Sequence, residues 1–68
     1  MTKARVNSDI SSFINMREKS DTESQVVERV PVGTYIEVVR RNKIWSNVRY
    51  NGKTGHIMNQ FLVYGEKT

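Results

Sequence analysis

Short alternations of apolar and polar residues, broken by turn-forming residues, run along most of the chain. Phe13-Ile14-Asn15-Met16-Arg17 sets Ile14 and Met16 on one face and Asn15 and Arg17 on the other, the period of two of a half-buried strand. Gln25 to Val30 carries Val26, Val27 and Val30 and runs into Pro31. Ser20, Asp21 and Glu23 would suit the start of a helix here. β-Branched side chains lose rotamer freedom in a helix and pack well on a pleated sheet, so the segment reads as a strand and Glu18 to Ser24 as a polar loop. Pro31-Val32-Gly33 marks a turn. Thr34 to Arg40 alternates again, with Ile36 and Val38 inward and Tyr35, Glu37 and Val39 outward. Arg41-Asn42-Lys43 forms a polar turn, and Ile44 to Tyr50 a further strand. His56-Ile57-Met58 lies on a returning strand, Asn59-Gln60-Phe61 makes a single helical turn, and Leu62 to Tyr64 closes the chain.

Asn51-Gly52 is the strongest hairpin signal, because a type I′ turn needs positive φ at both central residues. A two-residue loop there pairs Tyr50 with Lys53, Arg49 with Thr54, Val48 with Gly55, Asn47 with His56, Ser46 with Ile57 and Trp45 with Met58. Val48 and Ile57 then face the core. Trp45, Asn47, Arg49, Thr54, His56 and Met58 share the opposite face. That face joins an indole, an imidazole and a thioether, edged by arginine and amides. Trp45, the only tryptophan, either plugs the end of a barrel or walls a shallow aromatic groove, the kind of anchor enriched at binding hot spots.

Five or six strands at roughly 8–12-residue spacing with almost no helix predict a small antiparallel barrel or a pair of packed sheets. A length of 68 residues fits one domain. Cysteine is absent, so neither a disulfide nor a thiolate metal site holds it together. The apolar runs are too short for a membrane span or the core of a signal peptide, so an exported protein would carry this chain as an internal piece. Residues 1–5 and 65–68 read as tails or linkers around a domain at 6–64. Eleven basic against seven acidic residues give a net charge of +4. Arg40, Arg41, Lys43, Arg49 and Lys53 fall in a stretch without an acid, which suits either an anionic polymer or a solvated hairpin.

The same landmarks resemble the bacterial SH3 family of cell-wall-targeting modules. Ile14-Asn15-Met16-Arg17 is similar to its opening pattern. Val26 to Val30, the Pro31-Val32-Gly33 turn, Ile36 and Val38 are similar to its middle strands. Trp45-Ser46-Asn47-Val48-Arg49-Tyr50 is similar to its central tryptophan strand, and Phe61-Leu62 to its closing pair. The most specific element is the hairpin Asn51-Gly52-Lys53-Thr54-Gly55-His56-Ile57, with Trp45 six residues before it. The chain departs from the pattern at Ile44, where the family usually has glycine before the tryptophan. It departs at Glu18-Lys19-Ser20, where glycine and proline are common, and at His56, where a second tryptophan is usual. The last change removes an aromatic wall from the expected groove.

The resemblance implies an all-β fold, a small SH3-like barrel of five to seven short antiparallel strands with at most one helical turn. It implies a non-catalytic module that binds stem or cross-bridge peptides of peptidoglycan and anchors a larger exported protein, to whose catalytic or surface domains it is covalently linked. The expected location is extracellular or in the cell wall, and a monomer is expected. The groove so implied comprises Trp45, Asn15, Arg17, Asn47, His56, Arg49 and Met58, with Asn15, Asn47 and Arg17 holding peptide amides and Arg17 or Arg49 pairing with a carboxylate. Asn15 and Arg17 fit equally a structural clasp between strands. The alternative is a docking or spacer module of a surface or phage protein without wall affinity.

The residues present argue against an enzyme. His56 is the only histidine, and Ser46 points to the opposite face of the hairpin. One histidine supplies one of the roughly four ligands a zinc site needs, and no glycine-rich phosphate loop occurs, so neither metal nor cofactor is expected. Scattered basic residues and few stacking aromatics argue against nucleic acid.

Overall fold

The computed structural model describes residues 2–64. Seven strands, β1 (Thr2–Val6), β2 (Phe13–Arg17), β3 (Val26–Pro31), β4 (Tyr35–Arg41), β5 (Trp45–Tyr50), β6 (Lys53–Met58) and β7 (Leu62–Val63), form one sheet, and Asn59–Phe61 makes a 3-10 turn before β7. The order across the sheet is β3-β2-β6-β5-β4-β1-β7, with antiparallel pairings throughout. The sheet curls around one core. β1 gives it Ala4 and Val6, β2 gives Ile14 and Met16, and the later strands give Val30, Ile36, Val38, Val48, Ile57 and Leu62.

The β5–β6 hairpin has the register read from its turn, from Tyr50↔Lys53 to Trp45↔Met58 without a bulge. Asn51 and Gly52 take φ of 55° and 78°, the left-handed pair that a type I′ turn demands. Alternation along β2 and the first part of β4 also holds: Ile14, Met16, Ile36 and Val38 are buried, while Tyr35 and Val39 are exposed.

Two expectations are corrected. Residues 2–5 are not a tail: with Val6 they form β1, which pairs with both β4 and β7. The strand is hard to see because only Ala4 and Val6 face the core, and they alternate with the charged Lys3 and Arg5. Met1 and the expected tail at 65–68 lie outside the described residues. Strict alternation in β4 also stops early. The register shifts between Val38 and Arg40, a bulge at Val39. The bulge places Arg40 opposite Asn47 on the outer face, where plain alternation would have pointed it at the core. Arg41 then sits over the Tyr64 ring at 4.3 Å. Smaller shifts move Gln25 out of β3, Pro31 into it, and Ile44 out of β5 into an exposed bend.

Candidate functional site

β2 and β6 share one paired position, Arg17↔His56. On its other edge β2 pairs with β3 along its whole length, from Phe13↔Pro31 to Arg17↔Val26. The space between β2 and the Trp45–Met58 end of the hairpin opens into a cleft of ≈ 410 Å³, a size in the range of small-ligand and peptide sites. Phe13, Trp45, Met58 and Phe61 provide its apolar walls, Ile14 and Asn15 come from β2, and Ser11, Thr22 and Arg17 complete the lining.

Four of the seven residues expected at the groove line it: Trp45, Asn15, Arg17 and Met58. Trp45 is half-buried on the outer face and lies outside the core, so it walls a cleft and does not plug the barrel. Asn47, His56 and Arg49 share the outer face but lie outside the lining. Arg49 is exposed, between Glu37 and Thr54 in the sheet. His56 donates from Nδ1 to the Glu18 carbonyl at 3.2 Å, tying β6 to the loop after β2. The Oδ1 of Asn47 is buried without a hydrogen-bond partner. The histidine at position 56, where the family pattern usually has a tryptophan, thus gives this cleft no wall. Phe13 and Phe61, which the sequence reading missed, provide aromatic walls beside Trp45. Phe13 had a signal, since it lies two residues before Asn15 and hence on the same strand face.

Trp45 is positioned from behind by a polar network. Ser46 is fully buried; its hydroxyl donates to Asn59 Oδ1 and accepts from the Tyr64 hydroxyl at 2.8 Å. Asn59 Nδ2 donates to the carbonyls of Asn42 (2.8 Å) and Lys43 (3.2 Å), and its backbone N–H to Ile44 (2.8 Å). One side chain thus staples the 3-10 turn carrying Phe61 to the turn leading into Trp45. Asn59→Ala leaves these groups short of partners and is expected to cost about 2 kcal/mol. Thermal unfolding should show it, with a red shift of Trp45 emission in the folded state; unchanged emission would mean that Asn59 does not hold the indole.

Ser46 and His56 stand on opposite faces of the hairpin, so they form no nucleophile–base pair. Among the described residues no group of three or more His, Cys, Asp or Glu comes together, and no helix is long and apolar enough to cross a membrane.

A curled seven-stranded antiparallel sheet with an aromatic cleft on its outer face has the form of an SH3-like binding module. The bacterial SH3 domain family model matches residues 12–63, most of the chain, and the chain belongs to that family. The match spans β2 to β7 and leaves β1 before it. Membership makes the chain a cell-wall-binding or protein-interaction module by class, one of a generally non-catalytic kind and often extracellular. A search of curated proteins found no match.

Proposed function

We propose that this domain binds a cell-wall peptide in the Trp45 cleft and so holds a larger exported protein on peptidoglycan. The observation that carries this reading is the cleft itself: aromatic and thioether walls with Asn15 among them, on a family fold used for binding. Flat aromatic surfaces suit small apolar side chains, and an asparagine offers donor and acceptor to a peptide group that leaves water. Its larger partner would be the covalently linked catalytic or surface domains of the same protein, and its location the wall.

Purified sacculi stripped of anionic polymer test the reading. Sedimentation of the domain with them is expected at both low and high salt, because cleft binding is not counterion release. Retention at low salt alone would assign the interaction to the exposed basic residues outside the cleft, from Arg40 to Lys53. No retention would favour docking to another protein, the second reading, which the His56 departure suits.

A further inference from the structure

The cleft contains one charged residue, and none of the described residues forms an ion pair with it. Arg17 ends β2, half-buried, and its Nη1 donates to the Ser24 carbonyl at 2.8 Å. Ser24 is itself fixed. Its hydroxyl donates to the Asp21 carbonyl at 2.8 Å, and the adjoining Gln25 carbonyl accepts from Glu18 N–H at 2.8 Å. The nearby carboxylates are engaged elsewhere or exposed. Asp21 Oδ1 accepts from Glu23 N–H at 2.7 Å, Glu28 pairs with Lys53 at 3.1 Å, and Glu18 and Glu23 face solvent. Among the described residues Arg17 has no ion pair, and no lining residue of the cleft carries a carboxylate. Arg29 lies over the Phe13 ring at 5.0 Å and adds a second positive charge beside the same wall.

A guanidinium has five N–H donors in a rigid fork. The bond to Ser24 uses one and fixes the side chain, so little rotamer freedom remains to be lost when a ligand arrives. A half-buried cation without a counter-ion favours a ligand that brings one, and a carboxylate matches the fork with two charged hydrogen bonds. A carboxamide brings no charge, and its N–H groups meet donors.

Resting on the cleft as a peptide site, we infer that Arg17 sets its specificity: the cleft takes a peptide by a free carboxylate end. The carboxylate sits on Arg17, the last peptide group meets Asn15, and the preceding small apolar side chains pack on Trp45, Met58 and Phe61. Arg49, on the same face but outside the cleft, has no part in it.

The probes are N-acetyl-tetra-alanine with a free C-terminal carboxylate and the same peptide as its carboxamide, titrated against the emission of Trp45, the only tryptophan. The acid is expected to bind at least about tenfold more tightly than the amide. Arg17→Gln should erase that preference, and Arg49→Gln, which removes an equal charge, should keep it. Equal affinity for acid and amide overturns the Arg17 subsite; if the domain still sediments with sacculi, the cleft reading stands without it. A preference that survives Arg17→Gln, or disappears in Arg49→Gln, overturns it as well. Silence of Trp45 toward both peptides also overturns it, and sacculus binding measured alongside decides whether the wider reading falls too. If Arg17→Gln does not fold, the acid–amide comparison in the unaltered protein and in Arg49→Gln decides alone.

Discussion

Gly55→Ala is expected to destabilise the domain by about 2–3 kcal/mol, an overpacking cost. For a domain of this size that lowers the melting temperature by roughly 10–20 °C. Gly55 sits on the core face of β6 opposite Val48, where β2 crosses closely. A Cβ there would meet Met16 Cγ at 2.6 Å and the Arg17 carbonyl oxygen at 2.8 Å. The methionine can bend away; a backbone oxygen in a paired strand cannot. Relief requires β2 to lift from β6 at the single position where they pair, which is also the edge of the cleft. Gly52→Ala is the control. Its φ is 78° and its surroundings are open, so alanine there meets only backbone strain, about 1 kcal/mol. Thermal unfolding of both variants separates the two causes. Equal losses would mean that the close approach of β2 does not limit position 55. Because a domain this small sits near the low end of the usual ~5–15 kcal/mol, Gly55→Ala should also show partial unfolding at moderate temperature.

Trp45→Ala is expected to weaken binding to sacculi by about 30-fold, the effect of removing a hot-spot side chain worth about 2 kcal/mol. The fold should survive. Trp45 is half-buried and outside the core, and its neighbour Ser46 keeps the network with Asn59 and Tyr64. Ile44 is a control of matched position: it is adjacent, apolar and 62% exposed, but it does not line the cleft. Ile44→Ala should bind as the unaltered protein does. Sedimentation isotherms of the three proteins, with circular dichroism to confirm folding, read the outcome. Undiminished binding by folded Trp45→Ala would remove the indole from the mechanism.

These residues also show how far the fold and site are legible in sequence. The hairpin is legible to the residue, because Asn51-Gly52 sets a turn type, the turn type sets the register, and the register sorts side chains between faces. β1 is illegible for the opposite reason. Its inward residues are few and its outward ones charged, and what makes it a strand is pairing with β4 and β7, which are far along the chain. The bulge at Val39 is likewise tertiary: it keeps Arg40 out of the core, and no local motif announces it.

The site divides in the same way. Parity along β2 and β5–β6 identified a shared outer face, but a face is longer than a site. Arg49 is four residues from Trp45 along one strand, about 13 Å at the rise of an extended chain. Asn47 and His56 form the row between. The cleft begins where β2 parts from β6, and that divergence is a property of the curled sheet. Phe61 enters it through the 3-10 turn, whose placement depends on the bonds of Asn59.

The most direct measurement of the central claim is residue-by-residue mapping of the bound surface. ¹⁵N-labelled domain would be titrated with soluble peptide-bearing fragments released from sacculi, following every backbone amide and the Trp45 indole N–H. Binding in the cleft predicts the largest shifts at Asn15, Arg17, Trp45, Met58 and Phe61, with β1 and the outer part of β4 unmoved. Shifts centred on Lys3, Tyr35 and Arg49, or no shifts at saturating fragment, would contradict it.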